Sequence, residues 1–313
     1  MDQPAARRFH IILNPNSGTV LANGITAAGL EQEFKAAGLD AVVDGAPDIS
    51  MDEKVARAAA SDADVVVAAG GDGTITALAG ALAGTDKALG ILPLGTVNAL
   101  AKDLGLPLDL AGAVKALASA QPRQIDVGEV NGRVFLHKVV IGIVPSMAAA
   151  REHIRGDRSL RAKWSFLRFM FHRLTRARRM AVAIEPKDGV SHVVRAKAVA
   201  VACNAYDEGL GLVFKRGELA GGVLTIYTLT SLGVGDFVRL AGGMVLGNWT
   251  AAQALSMETS RAVTIRSRKK LLKVMFDGEV ESLETPLDFV IRPLALTVLA
   301  PADPTATEEG SAA

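Results

Sequence analysis

The most constraining feature of the sequence is the stretch from residue 65 to residue 75, Val-Val-Val-Ala-Ala-Gly-Gly-Asp-Gly-Thr-Ile. A β-branched apolar run ends here in three glycines, one acid and one hydroxyl, and an Ala- and Leu-rich stretch follows. This order predicts a buried parallel strand, a tight loop and the start of a helix. Glycine places no Cβ near a ligand, and the amides at a helix N-terminus attract anions, so the junction suits a phosphate group.

Two common phosphate-binding motifs are excluded for this loop. It is not a P-loop, because no Gly-Lys-Ser/Thr follows the glycines. It is also not the Gly-x-Gly-x-x-Gly of dinucleotide-binding folds, because no glycine follows Gly73 at the required spacing. For this loop taken alone, a tight turn without a ligand is the alternative.

The neighbouring stretches repeat the order of strand, loop and helix. Residues 9–13 predict a strand that runs into the loop 14–19, and residues 88–92 predict one that runs into the loop 93–98. Alternating strands and helices predict a doubly wound, parallel α/β sheet, in which ligands bind beyond the carboxyl ends of the strands. The loops 14–19, 70–74 and 93–98 are therefore expected to converge. The other predicted elements here are a strand at 41–43 and helices at 29–37, 51–60 and 99–104.

From about residue 125 the pattern changes to short strands with hairpin signals. Asn131-Gly132 and Asp188-Gly189 each separate two apolar runs, which is typical of two-residue hairpin turns. The pattern predicts a β-sandwich or a related antiparallel domain. We therefore expect an α/β nucleotide-binding domain over residues 1–124, a β-rich domain over 125–300 and a frayed tail over 301–313.

Composition excludes several classes of protein. The 313 residues carry a formal net charge of +1, which argues against a nucleic-acid-binding role. The one cysteine, Cys203, excludes a disulfide framework, and its apolar surroundings indicate a buried strand residue. No signal peptide is recognisable, and no apolar run approaches the ~20 residues of a membrane span. We expect a cytoplasmic protein, with attachment to the inner face of the membrane left open.

Four motifs occur together in one order. They are Asn-Pro-x-Ser-Gly at 14–18, Gly-Gly-Asp-Gly-Thr at 70–74, Leu-Pro-Leu-Gly-Thr-Val-Asn at 92–98 and Phe-Asp-Gly-Glu at 276–279. In this combination the chain resembles, over nearly its whole length, the diacylglycerol kinase catalytic-domain superfamily. The resemblance is greatest to its soluble bacterial lipid kinases, and sphingosine and ceramide kinases are relatives. It implies an active site between an α/β domain and a β-rich domain, with ATP and Mg²⁺ and a lipid hydroxyl as acceptor.

The resemblance also implies roles for individual residues. The Asp-Gly-Glu signature would supply the catalytic base, either Asp277 or Glu279. If this segment were extended, the two acids would face the same side, whereas a glycine turn would leave both solvated. Asp72 would help to hold a metal-bound phosphate, or would stabilise its own turn; no metal ligand is assigned. The residues expected to contact or flank the nucleotide are Asn14, Ser17, Gly18, Gly70, Gly71, Asp72, Gly73, Thr74, Thr76, Gly95, Thr96 and Asn98.

Some positions depart from the family pattern. Many bacterial members carry an acidic pair that serves a structural Mg²⁺ site where this chain has Gly221. Because glycine has no side-chain oxygen, we expect that auxiliary site to be altered or absent, with nearby Glu218 a weak substitute. Asp44-Gly45 stands where some members have a nucleotide-contacting threonine, and His137-Lys138 replaces a common asparagine.

The segment 151–179 is strongly basic, with ten arginines and lysines against two acids. Leu160, Trp164, Leu167 and Phe171 recur in it at helical spacing, so a basic amphipathic helix that lies on an anionic membrane is one interpretation. One alternative is an apolar stripe that packs on the β-rich domain, with arginines that are merely solvated. A nucleic-acid role is a third interpretation, which the absence of a matching basic field in the rest of the chain disfavours.

Three functions stay open on the sequence. The leading one is an ATP-dependent lipid kinase. The second is an NAD kinase, which shares Gly-Gly-Asp-Gly-Thr, although the loops 14–18 and 92–98 favour the lipid kinases. The third is a non-catalytic protein that binds a nucleotide or a lipid on a kinase scaffold. No motif distinguishes diacylglycerol, phosphatidylglycerol and a sphingoid base as acceptor, or decides whether the chain forms a homo-oligomer.

Overall fold

The computed structural model describes residues 7–142, 179–207, 215–230 and 255–302. It divides into two compact units, one of residues up to Val127 together with those from Leu294 onward, the other Gly128–Pro293. Apart from Arg179, the basic segment 151–179 lies outside the described residues, and so does nearly all of the tail expected over 301–313. Within the described ranges, no helix is long and apolar enough to cross a membrane.

The first unit is built on a parallel sheet with the strand order β2-β1-β3-β4-β16. Every residue of β3 and β4 is buried, as expected for strands covered on both faces. The prediction of a doubly wound α/β sheet is confirmed. The strands are β1 (Arg8–Leu13), β2 (Asp40–Asp44), β3 (Val65–Gly70), β4 (Ala88–Pro93) and the C-terminal part of β16 (Leu287–Ala300).

Helices follow these strands, and three of them begin with a side-chain cap. Thr26, Ser50 and Asp109 each accept a hydrogen bond from the backbone N–H three residues on, which satisfies an amide that the helix itself cannot. The helices are α1 (Gly18–Asn23), α2 (Ala27–Ala36), α3 (Met51–Ala60), α4 (Asp72–Leu82), α5 (Ala99–Asp103) and α6 (Leu110–Ser119). The sequence reasoning missed α1 and α6.

The last strand makes the domain division differ from the one expected at residue 124. The chain leaves the first unit within β5, after Val127, and returns to it within β16, at Leu294. Thr297 and Val298 pair with Ala88 and Leu89 of β4 in parallel register. A strand that is distant in sequence thus completes the first sheet. Local sequence patterns do not indicate this pairing with β4.

The second unit is a β-sandwich, as predicted. One sheet has the order β12-β11-β10-β7-β14-β15 and is antiparallel throughout. Its alternate side chains pack against those of β16, β13 and β8 in one hydrophobic core, which also contains Cys203. The burial expected for Cys203 is confirmed.

The sandwich strands occupy most of the described chain beyond residue 120. Those of the antiparallel sheet are β7 (Lys138–Gly142), β10 (Ala198–Cys203), β11 (Leu224–Leu229), β12 (Leu255–Ser260), β14 (Leu271–Phe276) and β15 (Glu279–Glu284). Those opposite are the end of β5 (Gln121–Val130) from Gly128, β6 (Arg133–Phe135), β8 (Met180–Pro186), β9 (His192–Ala196), β13 (Ala262–Arg266) and the N-terminal part of β16. Asn131 and Gly132 both have positive φ, as the predicted β5–β6 hairpin requires.

Candidate active site

The three loops at the carboxyl ends of β1, β3 and β4 are joined by hydrogen bonds. Asn14 Nδ2 donates to Thr74 Oγ1 at 3.1 Å, which links the first loop to the start of α4. The Ser17 hydroxyl donates to the carbonyl of Leu94, and the N–H of Leu94 donates to the carbonyl of Gly70 at 3.0 Å. The loops therefore converge in the first unit, as the parallel topology predicts.

Asp72 connects the second loop to the third. It is the first residue of α4, and its two carboxylate oxygens accept the N–H groups of Asn98 at 3.0 Å and Ala99 at 2.7 Å. These amides begin α5, whose own N-cap side chain makes no capping bond. Asp72 therefore caps a helix in another loop, a role distinct from a contact within its own turn.

Asn98 fills the interior of the third loop. It is buried, with a left-handed φ of 52°. Its Oδ1 accepts the N–H of Gly95 at 2.8 Å, and its Nδ2 donates to the carbonyls of Pro93 and Gly95 at 3.0 Å each. The side chain thus binds its own loop, and its conformation suits asparagine better than most residues.

Close packing in this cluster requires glycine at two positions, Gly95 and Gly70. A Cβ on Gly95 would lie 2.6 Å from the Cα of Gly71 and 2.8 Å from Asn98 Oδ1. A Cβ on Gly70 would lie 2.6 Å from Thr74 Oγ1. Real Cβ atoms do not approach so closely, so packing explains both glycines.

What the cluster offers to a ligand is mainly backbone. In the described part of the chain, no protein acceptor faces the N–H of Asp72 or of Gly73 at the N-terminus of α4. Exposed residues here include Gly73, Thr96 and Gly18. Thr76, which lies on α4 like Gly73, is half-buried. Such a helix end attracts an anion. Thr96 follows Gly95, the third-loop residue that packs against Gly71.

The Asp-Gly-Glu signature lies in the second unit and is a turn. Asp277 and Gly278 connect β14 to β15, with φ of 46° and 105°, and Phe276 pairs with Glu279 across the hairpin. The extended arrangement considered for the two acids is therefore wrong. Asp-Gly tolerates the positive φ of a two-residue hairpin turn, and this local preference overrides strand alternation.

The Asp277 carboxylate is held by three backbone amides. Oδ2 accepts the N–H of Leu136 at 2.7 Å, and Oδ1 accepts those of His137 and Lys138 at 2.9 Å each. The Asp277 N–H donates to the Lys138 carbonyl at 3.0 Å. A solvated turn acid is thus wrong for Asp277 as well, whereas Glu279 is exposed.

A buried arginine, which the sequence reasoning missed, binds the same segment. Arg216 Nη1 donates to the carbonyls of Leu136 at 2.6 Å and Cys203 at 2.9 Å, and its Nη2 lies 3.3 Å from His137 Nε2. Arginine has no acceptor, so Nε2 is the acceptor and the His137 proton resides on Nδ1. Only the tertiary fold brings Arg216 here; no local motif marks it.

The environment of His137 disfavours its cation. Burial, the charge of Arg216 and then that of Lys138 hold the pKa of His137 well below 6.5. A second proton, added at Nε2, would make the His137 ring a cation in contact with the Arg216 guanidinium. His137 is therefore neutral in the folded protein at neutral pH.

The segment around Gly221 also takes part in local packing. A Cβ on Gly221 would lie 3.0 Å from Asn204 Oδ1, and the Glu218 carboxylate accepts the N–H of Ala220 at 2.7 Å within its own loop. Among the residues with described positions, no group of three His, Cys, Asp or Glu side chains could hold a metal ion. An altered auxiliary Mg²⁺ site stays a prediction.

Two family models together match most of the chain. The model described as the diacylglycerol kinase catalytic domain matches residues 8–130, and the YegS C-terminal NAD kinase β-sandwich-like domain matches residues 139–300. The first match contains the loop cluster, and the second contains Asp277 and Arg216.

Individual relatives are similar over shorter stretches. A protein named diacylglycerol kinase from Bacillus subtilis is 36% identical over 135 residues, 42% of this chain and 44% of the relative. A probable YegS-like lipid kinase from Pseudomonas aeruginosa is 45% identical over 97 residues, 30% of this chain and 32% of the relative. The chain thus aligns with less than half the length of these curated relatives.

Solved structures extend the similarity of fold over the whole chain. A Bacillus anthracis structure described as a diacylglycerol kinase superposes with a TM-score of 0.67 at 20% identity and covers 97% of this chain and 99% of the other. A second structure from that organism, with the same coverage, has a TM-score of 0.74 at 22% identity. At such identities the likeness establishes the fold.

Replacement of Asp72 by alanine should weaken the fold even without a ligand. It leaves the partly buried N–H groups of Asn98 and Ala99 without their acceptor, which costs about 1–3 kcal/mol of unfolding free energy. Urea denaturation of the ligand-free protein measures this, with the exposed Asp86→Ala as control, expected within about 0.5 kcal/mol of wild type. Equal stabilities of Asp72→Ala and wild type would contradict the capping role.

Protein stability should depend on pH through His137. Because its folded pKa lies below 6.5, the unfolded chain binds the proton first as pH falls, and the unfolding free energy declines from about pH 6.5 down to the folded pKa. The slope contributed is at most about 1.4 kcal/mol per pH unit. Urea titrations between pH 5 and 8 should show this slope reduced in His137→Gln; an unchanged slope would contradict a neutral imidazole beside Arg216.

Proposed function

Because this chain belongs to the diacylglycerol kinase catalytic-domain family with a YegS-type C-terminal domain, we propose that it transfers the γ-phosphate of ATP to a hydroxyl group of a membrane lipid. The relatives named diacylglycerol kinase and YegS-like lipid kinase support this reaction class. The acceptor class proposed is a diacylglycerol-like or sphingoid lipid.

The observation that carries the proposal is the loop cluster of the first unit. Its polar side chains are used to hold the loops together, and the amides of Asp72 and Gly73 are left pointing from the N-terminus of α4. We assign the ATP phosphates to these amides, with the exposed Thr96 hydroxyl as a further donor. The rigid frame suits phosphoryl transfer, which depends chiefly on positioning and on stabilisation of charge.

Asp277 is the proposed general base. Three backbone N–H groups donate to its carboxylate oxygens and hold the carboxylate in one orientation. A positioned carboxylate can accept the proton that the acceptor hydroxyl loses as its oxygen attacks the γ-phosphorus, while ADP leaves. Glu279, exposed at the start of β15, is the alternative base.

Mg²⁺ is expected to accompany the nucleotide, where it neutralises phosphate charge. The described side chains contain no cluster that would hold the ion by itself.

The kinase reaction is tested with γ-labelled ATP, Mg²⁺ and total bacterial lipid in mixed micelles. Wild type should label a lipid. Asp277→Asn should lose about 10²–10⁴-fold in kcat, and the exposed acid control Glu284→Gln should retain it. Because Asp277 also holds Leu136–Lys138, the variant must be shown to be folded by thermal melting and to bind ATP with a Kd near that of wild type.

Each other outcome has a distinct meaning. Loss of kcat in Glu279→Gln with retention in Asp277→Asn would assign the base to Glu279. Labelled NADP from NAD, with no labelled lipid, would replace the proposal by an NAD kinase. Bound ATP without transfer to bacterial lipid or to an added sphingoid base would indicate a non-catalytic binding protein.

We also propose that the basic segment 151–179 binds an anionic bilayer, on the strength of its charge alone. Each basic residue near such a surface contributes about 1 kcal/mol, and salt screens the attraction. Sedimentation should show binding to vesicles with phosphatidylglycerol, not to phosphatidylcholine alone, and its loss at about 1 M salt. Changing Arg161, Arg168 and Arg173 to Gln should weaken binding. The control changes the exposed residues Arg268, Lys269 and Lys270 to Gln, which removes the same charge and should leave binding unchanged. Equal effects of the two triple substitutions would refute the assignment.

A further inference from the structure

We infer that Arg216 is a positioning residue that holds and polarises the amide cradle of Asp277. The guanidinium acts through the peptide group that joins Leu136 to His137, one end of which binds Arg216 and the other Asp277. The consequence for phosphoryl transfer rests on the proposed function; the structural linkage does not.

The linkage is a continuous chain of hydrogen bonds. Arg216 Nη1 donates to the Leu136 carbonyl at 2.6 Å, and the N–H of the same peptide group, which belongs to His137, donates to Asp277 Oδ1 at 2.9 Å. A cation at the carbonyl end draws electron density toward the oxygen and makes the N–H a stronger donor. The Asp277 anion and the Arg216 cation thus interact through one peptide.

The peptide lies in a connection that needs such support. Leu136 and His137 form the two-residue link between β6 and β7, where no sheet ladder holds them. Arg216 Nη1 also donates to the Cys203 carbonyl at 2.9 Å, and the Cys203 N–H donates to the His137 carbonyl at 2.9 Å. Arg216 therefore fastens the link to the end of β10, while Asp277 fastens it to the β14–β15 turn.

The charges around Asp277 agree with this arrangement. Arg216 is 1% exposed, so its charge acts in a medium of low polarity, where it is worth more than at the surface. The Lys138 ammonium lies 4.7 Å from the centre of the Tyr206 ring, and His137 is neutral beside the guanidinium. The nearby exposed arginine, Arg133, lies over the Phe276 ring and pairs with Glu281 at 2.7 Å.

Three substitutions separate the charge of Arg216 from its donor groups. Arg216→Lys keeps a cation and donors, Arg216→Gln keeps two N–H donors without charge, and Arg216→Met keeps neither. Arg133→Gln is the matched control, because it removes a positive charge from the same hairpin region but not from the cradle.

The first readouts need no catalysis. Amide hydrogen exchange is followed at Leu136, His137 and Lys138, and the Asp277 carboxyl is titrated by ¹³C NMR, with its signal assigned from Asp277→Asn. Exchange at the three amides should quicken at least about tenfold in Arg216→Gln and more in Arg216→Met, and the Asp277 titration should move to higher pH. Both should stay near wild type in Arg216→Lys and in Arg133→Gln.

The kinase assay adds a second readout. In Arg216→Gln we expect kcat to fall about 10- to 100-fold and the acid limb of its pH profile to move to higher pH, with KM for ATP nearly unchanged. Arg216→Lys should recover most of kcat. A purely structural role would lower stability without moving the pH profile and would not be rescued by Lys.

The outcomes keep the two proposals distinct. If wild type transfers no phosphate but the exchange and titration results appear, the proposed function fails and the linkage stands. If wild type is active and Arg216→Gln matches Arg133→Gln in every readout, the inference is overturned. Should the Arg216 variants not fold, rapid exchange of the His137 amide in wild type, relative to Ile141 in β7, would overturn it without any substitution.

Discussion

A backbone N–H that is shielded from water needs a hydrogen-bond acceptor. In this protein two aspartates that follow the ends of strands, Asp72 and Asp277, supply acceptors for such groups. Asp72 accepts the amides of Asn98 and Ala99 at the start of α5, and Asp277 accepts three successive amides, those of Leu136, His137 and Lys138. In both cases a carboxylate joins segments that are far apart in sequence, because its two oxygens can bind several donors at once. The loop cluster and the amide cradle both depend on this property.

This use of aspartate changes how the signature motifs are understood. In a glycine-rich loop that suits phosphate, one expects the side chains of Asp72 and Asn98 to contact the ligand. Here Asp72 and Asn98 bind neighbouring backbone, and Gly70 and Gly95 are needed for close approach. The loop backbone is thereby rigid before any ligand arrives, which lowers the entropy cost of placing a phosphate on it. The motif side chains therefore hold the loops in place, and the backbone N–H groups of Asp72 and Gly73 are left to bind a ligand.

Local patterns predicted the architecture well where structure is locally determined. The buried run 65–70, the helix 51–60 and the Asn131-Gly132 turn all carry their physical reason in adjacent residues. The convergence of three loops followed from parallel topology alone. Sequence reasoning could not find Arg216, whose partners are separated from it by 13 and 80 residues, because only tertiary packing brings them together. It also left open whether Asp277-Gly278-Glu279 is extended or a turn, although Asp-Gly is a strong hairpin signal.

The pairing of β16 with β4 has a consequence for biosynthesis. The first unit begins at the N-terminus, yet its fifth parallel strand comes from Leu294–Ala300, and the buried Asp126 accepts the N–H of Leu294 where the chain re-enters. A ribosome that adds 5–20 residues per second reaches this strand on the order of ten seconds after it has made Val127. During that interval β4 is an uncovered sheet edge, rich in apolar side chains and open to strands of other chains. Synthesis of residues 294–300, rather than emergence of the N-terminal half, is therefore the event that completes the first sheet.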